Sequence, residues 1–206
     1  MPVIAIAGNK GGVGKTTLSL NLATALSQNN SVIILDADPQ GSSFQWREIA
    51  DNDDAITVQM VSEDIEKQVA ALQNDYQYIV IDCPPSVHAS QTTEVLNFCN
   101  LVLIPVQPSP IDLWATVHIE EAVARAREKN SPLAALLIIN QIELRSTLSR
   151  LVRDALAEID IPVAKTAIRR RAIYRNSILE GKTIFDMGKK ASDAITELNQ
   201  LIEEIT

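Results

Sequence analysis

The chain contains two cysteines, two histidines and no long hydrophobic run. Cys83 and Cys99 form neither a disulfide framework nor a metal-spaced motif, and His88 and His118 add no ligand at such spacing. Both cysteines fall near apolar runs, where a free thiol packs as a small apolar group. Packing roles are expected for them and equally for Trp46 and Trp114. No stretch approaches eighteen consecutive apolar residues, which excludes a transmembrane helix. The opening MPVIAIAGNK lacks the basic segment and apolar run of a secretory signal. Internal repeats, low-complexity tracts and linkers are missing too. These absences leave a cytoplasmic chain of 206 residues, long enough to bury a core and expected to form one domain over 1–206.

What is present is a set of short Val- and Ile-rich runs: Val3–Ala7, Val32–Leu35, Ile79–Ile81, Leu101–Val106 and Leu136–Ile139, with Thr57–Val61 as a weaker edge candidate. Uninterrupted runs of this kind fit parallel strands buried on both faces. Helical spacing separates them, in Leu18, Leu22, Ala25 and Leu26, and again in Ile65, Val69 and Leu72. It returns in Leu148, Leu151, Val152, Ala155, Leu156 and Ile159, and in a last helix from Ala191 to Ile205. Strand alternating with helix predicts a doubly wound α/β domain with a mostly parallel sheet covered on both faces.

The first run ends in GNKGGVGKTT, residues 8–17, at a strand-to-helix turn. Backbone N–H groups and a helix N-terminus both face an anion there. Gly11, Gly12 and Gly14 allow close backbone approach around Val13, Lys15 can reach the β- and γ-phosphates, and the Thr16 hydroxyl can ligate magnesium. Asn9 stands where the strict phosphate-loop pattern has glycine, so the loop is a variant. Asp82 ends the run YIVID at a strand C-terminus, where open α/β sheets bind ligands, and fits a carboxylate holding a magnesium-bound water. Asp36 and Asp38 end an earlier run. Each carboxylate can serve the site or simply shape the Asp-Pro turn.

Formal charge is −8, which opposes non-specific nucleic-acid binding on average. The distribution is uneven. Residues 165–190 hold eight cations against two carboxylates, a local +6, leaving −14 elsewhere. The patch reads either as a solvated face or as a phosphate-binding surface.

Four ordered motifs, K-G-G-V-G-K-T-T, D-A-D-P-Q, I-V-I-D-C-P-P and L-I-P-V-Q-P-S-P, resemble the deviant Walker-A ATPases. The resemblance is to the ParA partition group of the MinD/ParA family, specifically the short plasmid type that includes ParF. It spans essentially the whole chain, because the segment I-R-R-R-x-x-Y-x-x-S-I-x-x-G-x-x-I-F also matches. It implies a phosphate-loop ATPase with weak intrinsic activity and ATP and Mg2+ as ligands. Lys10 matches the lysine that crosses a dimer interface to the partner's nucleotide. Lys15 and Thr16 match the phosphate lysine and the magnesium ligand, and Thr17 an α-phosphate contact. Asp38 matches the first switch residue and Asp82 the Walker-B carboxylate. Asn140 fits an adenine-edge reader, or a plain loop residue at a strand end. Pro108 belongs to a segment at the adenine pocket or to a rigid strand exit, and Asp112 is a ligand contact or a helix N-cap.

The family further implies an ATP-dependent homodimer whose Arg169, Arg170, Arg171 and Arg175, with Lys189 and Lys190, bind DNA without sequence preference. Partners would be the nucleoid and a centromere-binding or cargo adaptor protein that triggers hydrolysis, in DNA segregation such as plasmid partition. No helix-turn-helix segment precedes the loop, so operator binding is not expected. A MinD-like membrane-positioning ATPase is the alternative. The acidic polar face of the last helix, with Asp193, Glu197, Glu203 and Glu204, opposes anionic lipid.

Overall fold

The computed structural model describes residues 2–50, 56–143, 152, 154–156 and 158–206, excepting the side chains of 111–113. Seven strands are assigned: β1 (Val3–Ile6), β2 (Val32–Asp36), β3 (Thr57–Met60), β4 (Tyr78–Asp82), β5 (Leu101–Val106), β6 (Ala134–Ile142) and β7 (Ile168–Arg169). They form one sheet in the order β3-β2-β4-β1-β5-β6-β7. Every pairing is parallel. The expected runs all became strands, with β6 longer than expected and β7 too short to announce itself.

Side-chain alternation splits the core in two. Val3, Ala5, Ile33, Leu35, Ile79, Ile81, Val102 and Ile104 point to one face, joined there by Ile65, Val69, Val95, Ile119 and Val123. Those partners belong to α3 (Ile65–Leu72), α4 (Ser90–Leu96) and α5 (Pro110–Arg127). The intervening residues Ile4, Ile6, Ile34, Val80, Leu103 and Ile138 point to the other face, against Leu18, Leu22, Trp46, Leu198 and Leu201. That layer is built from α1 (Lys15–Ser27), α2 (Ser42–Ile49), α6 (Ala172–Leu179) and α7 (Ser192–Ile205). Both faces are apolar because both are covered, which is why the strands read as unbroken hydrophobic runs.

Of the helix expected around Leu148–Ile159, Leu148 and Leu151 lie outside the described residues. Val152 and Leu156 are fully buried. Trp46 packs in the core as expected, whereas Trp114 is 72% exposed on α5, correcting its expected packing role. A single apolar residue carries no direction, and the α5 sequence buries its Ile119, Ala122 and Val123 side instead. Among the described residues no helix is long and apolar enough to cross a membrane.

Candidate nucleotide-binding site

The chain turns out of β1 at the point where strand order reverses, with β4 on one side and β5 on the other. A crevice at the strand C-termini follows from that reversal. The phosphate loop fills its rim and leads into α1, with Gly14 at the N-cap, φ 95°. A Cβ on Gly14 would lie 2.5 Å from Asn140 Nδ2, so only glycine fits. Gly12, φ 78°, likewise needs the left-handed region.

Lys15 is 7% exposed and donates from Nζ to the Lys10 carbonyl at 3.0 Å. Burial pulls its pKa below the usual lysine value, opposed by the charges of Asp82 and Asp38. The structure thus gathers Lys15, Asp38 and Asp82, from three separate sequence motifs, into one electrostatic cluster. Lys10 and Val13 lie at the start of this loop beside Pro105 and Thr116, where α5 approaches it.

Asp82 is buried. It pairs in register with Asp36 of β2, so two carboxylates end adjacent strands on the α1/α2 face. Ser19 Oγ donates to its Oδ1 at 3.2 Å and Ser43 Oγ to its Oδ2 at 2.5 Å. Burial pushes its pKa up to about 6 despite the Ser43 and Thr16 hydroxyls, with Asp36 adding like-charge repulsion. An all-oxygen set of hydroxyl and carboxylate, with a carboxylate in need of positive charge, fits magnesium. Among the described residues no group of three or more His, Cys, Asp or Glu could hold a metal unaided. His88 and His118 instead meet each other edge to face, 6.1 Å apart.

The two aspartates of β2 separate in role. Asp36 is fully buried and accepts from the N–H groups of Asp38 at 3.1 Å and Phe44 at 3.0 Å, so it builds the turn and tethers α2. Asp38 is partly exposed; it caps Gln40 N–H at 3.0 Å while still facing Lys15.

Asn140 ends near the loop but its amide is engaged. Nδ2 donates to the Val13 carbonyl at 2.7 Å and Oδ1 accepts from Gln141 N–H at 3.0 Å. It also lines a cavity of about 480 Å3 with Gly14, Thr17, Arg170 and Tyr174, beside the N-terminus of α1. Pro108 is not among the residues lining that cavity, and the side chain of Asp112 lies outside the described residues.

The basic segment is less free than its +6 suggests. Arg169 and Arg171 both bind Glu197 of α7, at 3.2 and 2.7 Å, and Arg171 reaches Asp193 at 3.4 Å. Arg170 pairs with Glu143 at 2.9 Å. Arg175, Lys189 and Lys190 are exposed. The pairing carboxylates lie outside residues 165–190, so a windowed charge count missed them.

Two participants, Ser43 and Gln141, had no sequence signal, and Gln107 stood only within the L-I-P-V-Q-P-S-P motif with no role of its own. Gln107 Nε2 donates to the Gly12 carbonyl at 2.8 Å, and Gln141 Nε2 to the same oxygen at 3.2 Å. Gln141 has φ 58°, the one positive value outside glycine among the described residues. For a side-chain-bearing residue that conformation costs about 1–2 kcal/mol. It falls where the β6–β7 register shifts between Asn140 and Ile142.

A glycine loop on a helix N-terminus, a buried lysine and a buried aspartate at the switch point define a phosphate-loop nucleotide-binding domain. The family model for the CobQ/CobB/MinD/ParA nucleotide binding domain matches residues 4–184, and the chain belongs to this family of nucleotide-binding ATPases. It is 38% identical over 205 residues to the maintenance of carboxysome distribution protein A of Halothiobacillus neapolitanus, covering 98% of this chain and 95% of that one. The chromosome partitioning protein ParA of Caulobacter vibrioides is 25% identical over 245 residues, 95% of this chain and 91% of its own. Among solved structures, the ATP complex of a Cyanothece McdA variant shares the fold with TM-score 0.78 at 18% identity, covering 100% of this chain and 96% of that one. A putative plasmid partition protein of Borrelia burgdorferi bound to AMPPNP gives TM-score 0.76 at 23% identity, over 98% and 97% of the two chains.

Proposed function

We propose that this chain is a positioning ATPase that spaces a protein assembly of the carboxysome kind over nucleoid DNA. The observation that carries the reading is the 38% identity to a carboxysome distribution protein along nearly the full length of both chains. Plasmid or chromosome segregation, the cargo suggested by the ParA resemblance, becomes the competing outcome.

In this reading ATP sits with its phosphates on residues 11–17 and its nucleoside in the cavity beside Thr17 and Asn140. Thr16 and Asp82, with Asp38 nearby, would hold magnesium, whose charge neutralises the β- and γ-phosphates. Lys15 contacts the terminal phosphates, and Asp38 orients the attacking water. Lys10 reaches the nucleotide of a second copy, so ATP becomes the bridge of a dimer, and intrinsic hydrolysis is weak. Arg175, Lys189 and Lys190, doubled in the dimer, supply sequence-independent phosphate contacts, joined by Arg170 when it leaves Glu143. An adaptor on the cargo stimulates hydrolysis and release.

Deleting the gene in its source organism, with a fluorescent carboxysome shell protein and a marked plasmid, tests the cargo. Clustered shells with normal plasmid inheritance are expected. Evenly spaced shells with plasmid loss would transfer the function to DNA partition.

A further inference from the structure

Phosphate loops bind anions through N–H groups, so their carbonyls must be held elsewhere. A trans peptide unit is planar, with its C=O and the following N–H pointing in opposite directions. Fixing the Gly12 carbonyl therefore fixes the Val13 N–H, and fixing the Val13 carbonyl fixes the Gly14 N–H. The structure fixes both. Asn140 holds the Val13 carbonyl, while Gln107 and Gln141 share that of Gly12.

The two glutamines come from different strands, Gln107 just past β5 and Gln141 within β6. They converge on one oxygen from sequence distances of 95 and 129 residues. Gln141 does so from a left-handed backbone at a register shift, tethered through its own N–H to Asn140. Strained conformations persist where surrounding contacts enforce them, and they concentrate at functional sites. Glycine would occupy that backbone without strain.

We infer that Gln107 and Gln141 are positioning residues for nucleotide binding, clamping the Gly12 carbonyl outward so that the following N–H groups face the phosphates. The inference rests on the nucleotide reading above. A clamp of two donors on one acceptor also predicts partial redundancy, each glutamine retaining part of the other's effect.

The test is equilibrium binding of magnesium and a fluorescent ATP analogue to the full chain, alongside thermal unfolding without nucleotide. Gln141→Gly removes the amide and the strain together. It is expected to keep or raise the unfolding midpoint while weakening ATP binding about 3- to 10-fold, the range of one neutral hydrogen bond. Gln107→Ala is expected to weaken binding similarly, and the double variant to weaken it more than either. Wild-type affinity in the double variant would overturn the inference. So would weakened binding in Gln141→Gly accompanied by a lower midpoint, which marks a merely structural role. No ATP binding by the wild-type chain would overturn the nucleotide reading itself, an outcome distinct from both.

Discussion

Replacing Asp82 with Asn should stabilise the nucleotide-free protein in a pH-dependent way while stopping ATP hydrolysis. The Asp82 carboxyl titrates near 6 in the fold against an ordinary 3.8, because its site is fully buried. Below about pH 3 the carboxyl is protonated in both folded and unfolded chains and costs nothing. As pH rises, the unfolded chain releases its proton first, so the folded state loses stability until Asp82 ionises as well. The full penalty above pH 6 is about 3 kcal/mol. Asn has no charge to bury, and its amide meets the Ser19 and Ser43 hydroxyls, which can accept as well as donate. Asp36 also titrates high and repels Asp82, so the Asn variant relieves that repulsion as well, in the same direction. Urea unfolding of both at pH 4 and pH 8, without magnesium, measures the effect. The stability of Asp82→Asn relative to wild type should grow by about 2–3 kcal/mol between those values. Parallel pH profiles would refute the assignment of Asp82 as a buried charge awaiting a cation.

Other expectations follow from single contacts. A Cβ on Gly181, φ 65°, would stand 2.8 Å from Ala50 Cα, so Gly181→Ala should destabilise by about 1–3 kcal/mol, read by thermal unfolding. Arg171→Ala removes the pairing to Glu197 and Asp193 and should lower stability by about 1–2 kcal/mol, whereas exposed Arg175→Ala should leave stability within about 0.5 kcal/mol. If the proposed DNA contacts hold, the order should reverse in DNA-binding titrations with ATP: Arg175→Ala should weaken binding on every sequence and flatten its salt dependence. Ser43→Ala deletes a donor to Asp82 Oδ2 and should raise the carboxyl's pKa further, visible by NMR titration of the side chain.

Strand positions were legible because doubly covered strands must be apolar throughout, which leaves short unbroken runs of Val, Ile and Leu. Helix α2 was not legible. Only Ser43 and Trp46 of its residues are buried, so no apolar stripe marks it. β7 is two residues long and defined by its partner β6 alone. At the site, Gly14, Lys15 and Asp82 stood out because their chemistry is carried by residue type and local spacing. Ser43, Gln107 and Gln141 did not, since ordinary polar residues become informative only when folding brings them to an acceptor 39, 95 or 129 residues away. The arginine cluster failed in the opposite sense. Its charge was visible, but the carboxylates of Glu143, Asp193 and Glu197 that engage it lie outside the basic stretch.

In the proposed function, ATP held by the phosphate loop joins two copies of the chain through Lys10. Sedimentation velocity with magnesium and a non-hydrolysable ATP analogue measures it directly, on wild type and Lys10→Ala. The expected result is a nucleotide-dependent dimer for the wild type, and a monomer that still binds nucleotide for Lys10→Ala. Full dimerisation of Lys10→Ala would contradict it.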